Sequence, residues 1–148
     1  MGKEKKDKVK YCEKLKELDV CNIFTPHFNI ENETHLAKVV YCYDGDTVHC
    51  VFKHDRMYQK FKVRMWGYNT PEMRPSKKIP EEERQEIIKK ANEAKNRLSD
   101  LIINKNVILE CKGFDSFGRV LGEIKLLDSN TTINQQMIDE GFGVEFYG

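Results

Sequence analysis

Period-two alternation of apolar and polar residues is the strongest constraint on how this chain can fold. Between residues 36 and 66 it runs through three stretches joined by short polar turns. In Thr47 to His54, Val48, Cys50 and Phe52 alternate with His49, Val51 and Lys53. In Tyr58 to Trp66, Phe61, Val63 and Met65 point one way while Lys62 and Arg64 point the other. Leu36 to Tyr43 precedes them across Asp44-Gly45-Asp46, and Asp55-Arg56 supplies the second turn. Three strands with short turns and one apolar face form a meander, and the same alternation puts Arg64 outside the core.

The second half changes period. Over 80–103 the spacing predicts a helix: Pro80 suits the first turn, and Glu81, Glu82 and Glu83 suit the positive end of its dipole. Ile87, Ala91, Ala94, Leu98 and Leu101 then recur as a single apolar stripe. Strands are expected at Asn106 to Lys112 and Arg119 to Leu127, followed by a short helix from Ile133 to Glu140 and a closing Val144 to Tyr147. Near the start, Val9, Cys12, Leu15 and Leu18 are spaced for a short helix over 7–18, and an extended region begins at Phe28 after Pro26. Two groups of strands split by a long helix fit a five-stranded barrel, but periodicity alone does not choose it over other α+β folds.

Four short strings carry the chemistry: Asp44-Gly45-Asp46-Thr47, Arg64, Asn69-Thr70-Pro71-Glu72 and Asp115-Ser116-Phe117-Gly118-Arg119. They hold hard-oxygen donors suited to calcium or magnesium, one carboxylate free to act as a base, and two arginines whose forked donors suit a phosphoryl group gathering charge. Each string alone has a plain reading: Asp-Gly-Asp as a hairpin turn, Arg64 as a surface charge on a strand, Arg119 as a turn residue. In this order they resemble the staphylococcal nuclease (thermonuclease) family, from about Lys38 to Tyr147. Arg64 to Lys77 is also similar to the versions carried by large DNA viruses.

That resemblance implies an α+β, mainly β fold, a five-stranded Greek-key barrel of the OB type with two or three packed helices. The nuclease domain would span 35–148, after a basic extension at 1–34. It implies a calcium-dependent endonuclease that hydrolyses DNA and RNA, with Glu72 as base, Arg64 and Arg119 on the phosphate, and products ending in 3′-phosphate. Asp46, Asn69, the Thr70 carbonyl and Asp44 (through water) would hold the ion. The family usually has aspartate at position 69, so a weak calcium site is expected. Phe117, Ser116 and Tyr147 would line the substrate pocket, with Phe117 and Ser116 standing where the secreted bacterial enzymes carry tyrosine and lysine. Trp66 and Tyr68 are open to two readings, as stacking platforms or as core. The alternative to an enzyme is a non-catalytic OB-type module that binds nucleic acid or protein.

Composition limits the rest. At 148 residues the chain is one domain, able to bury roughly 68–70% of its unfolded surface. Five scattered cysteines, an odd number without CxxC spacing, fit free thiols in a reducing compartment. No apolar run spans a bilayer and the start lacks the apolar core of a signal peptide, so an intracellular protein with no membrane partner is expected; a monomer without a small-molecule cofactor is expected as well. The four histidines lack zinc spacing, and neither a Walker string nor an EF-hand is present. Net charge is +1, with +4 in residues 1–16 and −3 in the remainder. The lysine-rich start reads either as an electrostatic tether to nucleic acid or as a solvated helix face.

Overall fold

Alternation over the two strand groups closes on itself. The computed structural model describes residues 2–148 and contains β1 (Thr34–Cys42), β2 (Thr47–His54), β3 (Met57–Met65), β4 (Tyr68–Asn69), β5 (Asn106–Phe114), β6 (Val120–Leu126) and β7 (Val144–Glu145). Five of these form a closed barrel in the order β1-β2-β3-β6-β5, with β5 returning to β1; β4 and β7 pair as a separate ribbon. All barrel pairings are antiparallel except β3 with β6. The expected α+β, mainly β, five-stranded OB-type barrel is the fold.

The inward positions are those the alternation selects. Val48, Cys50, Phe52, Val63, Met65, Val107, Leu109, Cys111, Val120 and Ile124 are all buried inside the barrel. Each large aliphatic or aromatic side chain removed from water there contributes about 1.5–3 kcal/mol. Ile30, ahead of β1, is also fully buried, and its segment pairs with β5 through Asn32 N–H to Cys111 O at 2.9 Å. The three buried thiols are pushed up by desolvation, Cys42 and Cys50 to about 12 and Cys111 to about 11, so none is a nucleophile at neutral pH.

Three helices complete the fold: α1 (Gly2–Asp19), α2 (Glu81–Ile102) and α3 (Ile133–Asp139). α2 buries Ala91, Ala94, Leu98 and Ile102 against the barrel, the stripe read from the sequence displaced by one residue at its end. α3 is capped by Thr132, whose Oγ1 accepts from Gln135 N at 3.0 Å. α1 is longer than the predicted 7–18 helix. Tyr11, Leu15 and Leu18 on it are exposed, and the Val9 side chain of that predicted stripe lies outside the described residues.

One side chain staples the place where the barrel shuts. Only Val63–Val120, Arg64–Leu121 and Met65–Gly122 pair along the β3–β6 seam. Asn134, buried at the start of α3, donates to Trp66 O at 2.8 Å and Gly122 O at 3.0 Å, and accepts from Ile124 N at 2.9 Å.

Candidate active site

The β2–β3 register sets Thr47 opposite Arg64, beside the Asp44-Gly45-Asp46 turn. That turn sits hard against α2 and the loop after β4. A Cβ on Gly45 would lie 2.8 Å from Ala94 Cβ and 2.9 Å from Thr70 Cγ2, so only glycine fits. Tyr68, fully buried, donates to Gly45 O at 2.8 Å and clamps the turn from beneath. Of the two readings open for Tyr68, burial selects core; its ring cannot meet a base.

Arg64 is held by the bend its own strand makes. Its Nη1 donates to Met65 O at 2.7 Å and Tyr68 O at 2.9 Å. Nη2 donates to Asn69 Oδ1 and lies 3.5 Å from Asp46 Oδ2. Thr70 Oγ1 approaches the same Asp46 oxygen at 3.4 Å. Asp44 Oδ1 accepts from Asp46 N at 3.0 Å, and burial, then the adjoining Asp46 carboxylate, push Asp44 up to about 6.

Arg119 reaches the same centre from the turn before β6. Asp115 Oδ1 accepts from Phe117 N at 2.9 Å and Arg119 N at 2.8 Å, winding a tight turn closed by Gly118 at φ +81°. Asp115 Oδ2 then holds Arg119 Nε at 2.6 Å. Arg119 Nη1 donates to Thr47 Oγ1 at 3.2 Å, and Thr47 in turn donates to Asp46 Oδ1 at 3.0 Å. The two arginines are thus linked through Thr47 and Asp46. A cleft of about 390 Å³ opens beside them, with Trp66, Phe117, Tyr147 and Ser116 in its wall.

Asp46 and Asn69 meet at Arg64, Thr70 reaches Asp46, and Asp44 turns its carboxylate onto the Asp46 amide without contacting Arg64. Ser116, Phe117 and Tyr147 line one cleft with Arg64 and Arg119, and Trp66 joins them at 5.8 Å from the Tyr147 ring. Phe117 is 83% exposed, its ring 5.6 Å from the Arg119 guanidinium. Glu72 stands apart: it is exposed on the loop after Thr70, makes no hydrogen bond among the described residues, and does not line the cleft. Thr47, Asp115 and the Tyr68 clamp are the participants whose roles were missed. Counting register outward from the hairpin turn points to Thr47, and an aspartate three residues before glycine is a turn signal for Asp115.

The donor set near Arg64 fits a hard divalent cation in kind: two carboxylates, an amide oxygen and the Thr70 carbonyl are all oxygen ligands. Among the described residues there is no group of three or more acidic, histidine or cysteine side chains, so neutral oxygens must complete any shell. The Asn69 oxygen already accepts from Arg64, which shares it between guanidinium and ion.

Asp115 yields a pH test. Burial raises its pKa, but the Arg119 amide and guanidinium and the Phe117 amide outweigh that and hold it below the ordinary carboxylate value. A folded-state pKa depressed below the unfolded one stabilises above the unfolded value of roughly 4 and ceases to do so as pH falls through the folded one. The parent should therefore melt above Asp115→Asn at pH 6, with the gap closing below roughly pH 4. A pH-independent gap in calorimetry removes the ion pair as the cause.

Comparison with known proteins places these residues in context. The family profile described as "Staphylococcal nuclease homologue" matches residues 62–148, which include Arg64, Asn69 to Glu72 and Arg119 and begin after the Asp-Gly-Asp turn. A protein of Haemophilus influenzae (strain ATCC 51907 / DSM 11121 / KW20 / Rd), named "Uncharacterized endonuclease", is 30% identical over 119 residues. Those residues are 80% of this chain and 57% of that protein, so the chain spans little more than half of the relative's length.

Proposed function

Because the chain belongs to the staphylococcal nuclease homologue family, we propose that it is a calcium-dependent endonuclease hydrolysing phosphodiester bonds in DNA and RNA. One observation carries this reading: two guanidinium groups, one from β3 and one from the turn before β6, meet through Thr47 and Asp46 at the mouth of an aromatic cleft. That is where a phosphate would sit with a base or sugar against Trp66, Phe117 and Tyr147.

Arg64 and Arg119 bind and orient the phosphate and meet the charge that builds on its oxygens as water adds. Arg119 is pre-set for this, since Asp115 fixes its Nε and Thr47 its Nη1. Glu72 lies on the exposed loop outside the cleft wall, and on the family resemblance we assign it the proton of the attacking water once substrate is bound. The new bond runs from water oxygen to phosphorus, the P–O5′ bond breaks, and its electron pair leaves on O5′, which gains a proton. The products carry a 3′-phosphate and a 5′-hydroxyl. Asp46, Asp44, Asn69 and Thr70 would hold the calcium ion, which when bound polarises a non-bridging phosphate oxygen.

Purified protein incubated with single-stranded DNA in calcium, then in chelator, tests the reading; binding without cleavage at saturating calcium would identify the non-catalytic module instead. Asn69→Asp tests the ion site. One extra negative charge about 4 Å from a divalent ion is worth up to about 8 kcal/mol in a surface-like dielectric before screening, and Arg64, which already bonds position 69, takes up much of it. The variant should reach half-maximal cleavage at calcium lower by on the order of tenfold, about 1.4 kcal/mol. Identical calcium titrations for both proteins would remove position 69 from the ligand set.

A further inference from the structure

The outward face of the meander carries a second feature. β1, β2 and β3 contain no aspartate or glutamate, yet hold Lys38, Lys53, Lys60, Lys62 and Arg64. The chain is +1 overall; these strands hold +5 of it and everything else −4. Register orders the charges into rows. Thr47 faces Arg64 at the site, His49 then faces Lys62 with Tyr41 beyond it, Val51 faces Lys60 with Lys38 beyond, and Lys53 faces Tyr58. Rows two residues apart stand about 6.6 Å apart, so Tyr58 lies about 20 Å from Arg64 along β3.

These lysines are exposed, and none forms an ion pair among the described residues. On the opposite side of the barrel Lys112 is paired, to Glu110 at 3.1 Å and Glu123 at 3.8 Å. Lys62 also lines a surface depression with Phe117 and Arg119, which joins the row to the site. Burial first, then Lys60 and Lys62, hold His49 below the usual histidine range, in keeping with a local positive field. Tyr58 is 75% exposed and Tyr41 48%, with Lys53 Nζ 5.9 Å from the Tyr58 ring centre.

We infer that the outer face of β2 and β3, from Lys62 past Lys60 to Lys53 and Tyr58, is a track that binds an extended single strand of nucleic acid leaving the Arg64–Arg119 site. Unpaired cations in successive rows follow a phosphate backbone, and an exposed tyrosine offers a stacking face that only an unpaired base can meet. The inference rests on the proposed nuclease reading for its direction, but its test does not need cleavage.

Binding of a fluorescent oligothymidylate of roughly 16 nucleotides is followed by anisotropy in chelator across a salt series. The Lys53→Gln, Lys60→Gln, Lys62→Gln triple variant should lose about 2 from the slope of log K against log salt, about 0.7 per contact. Tyr58→Ala should weaken binding roughly fivefold or more, and Tyr58→Phe should not. Lys89→Gln with Lys90→Gln, exposed on α2, should leave the slope unchanged. A parental slope in the triple variant overturns the track, as does an equal loss in the α2 control. Duplex bound as tightly as the single strand, with the same dependence on these lysines, overturns the single-strand assignment. A parent that never cleaves in calcium but shows the expected slopes leaves the track standing and removes the catalytic reading.

Discussion

Arg119→Ala is expected to cut the rate of phosphodiester cleavage by on the order of 10²-fold or more, with Arg119→Lys recovering little of it. The reason is geometric. Asp115 aligns Nε and Thr47 aligns Nη1, so the guanidinium plane arrives at the cleft already oriented; an ammonium has no plane to fix. Arg119 is a cleaner probe than Arg64. Loss of Arg64 strips the donors from two main-chain carbonyls and mixes folding with chemistry. Without Arg119, Asp115 still accepts from the backbone amide at 117, so the melting temperature should move by only a few degrees. Glu72→Gln should cost a similar factor in rate at unchanged stability, since that side chain is exposed. Parental rates in Arg119→Ala or Glu72→Gln would show that the residue has no part in the reaction.

The second large effect is on stability. Asn134→Ala leaves Ile124 N–H and Trp66 C=O without partners inside the fold, and removes one of two bonds to Gly122 O. Each orphaned buried group costs about 1–3 kcal/mol, so a loss of about 2–5 kcal/mol is expected. At about 2–4 °C per kcal/mol for a chain near this size, the melting temperature should fall by roughly 5–20 °C. Asn134→Asp keeps the acceptor for Ile124 but loses both donors, and should fall almost as far. A shift under roughly 2 °C in Asn134→Ala would mean that water replaces the side chain and the seam does not depend on it.

The contrast between these residues shows what was legible beforehand. Strand positions follow from side-chain alternation, which is local, so it sets Val63 and Arg64 on opposite faces without reference to strand pairing. The α2 stripe was equally plain, because burial against one surface selects one face of the helix. Closure of the barrel was not legible from periodicity. β3 and β6 meet over three residue pairs, too few to leave a pattern, and Asn134, which holds them, looks like any polar residue opening a short helix. The strings around Arg64 and Arg119 named the ends of the site but not its middle. Thr47 links them through a hydroxyl whose two partners, neighbouring Asp46 and distant Arg119, lie far apart in sequence, and Tyr68 departs from aromatic stacking because its hydroxyl finds a main-chain acceptor in the Asp-Gly-Asp turn.

The narrow parallel seam also orders events during refolding. β1, β2 and β3 can assemble as neighbours in sequence, and so can β5 and β6, but Arg64 and Arg119 belong to different groups and come together only when β3 meets β6. Pairing across so long a stretch of chain is entropically slow compared with hairpin closure. Helix and hairpin signals should therefore return before the two guanidinium groups are linked through Thr47 and Asp46. A chain can then look nearly native by circular dichroism while the candidate site is still in two halves.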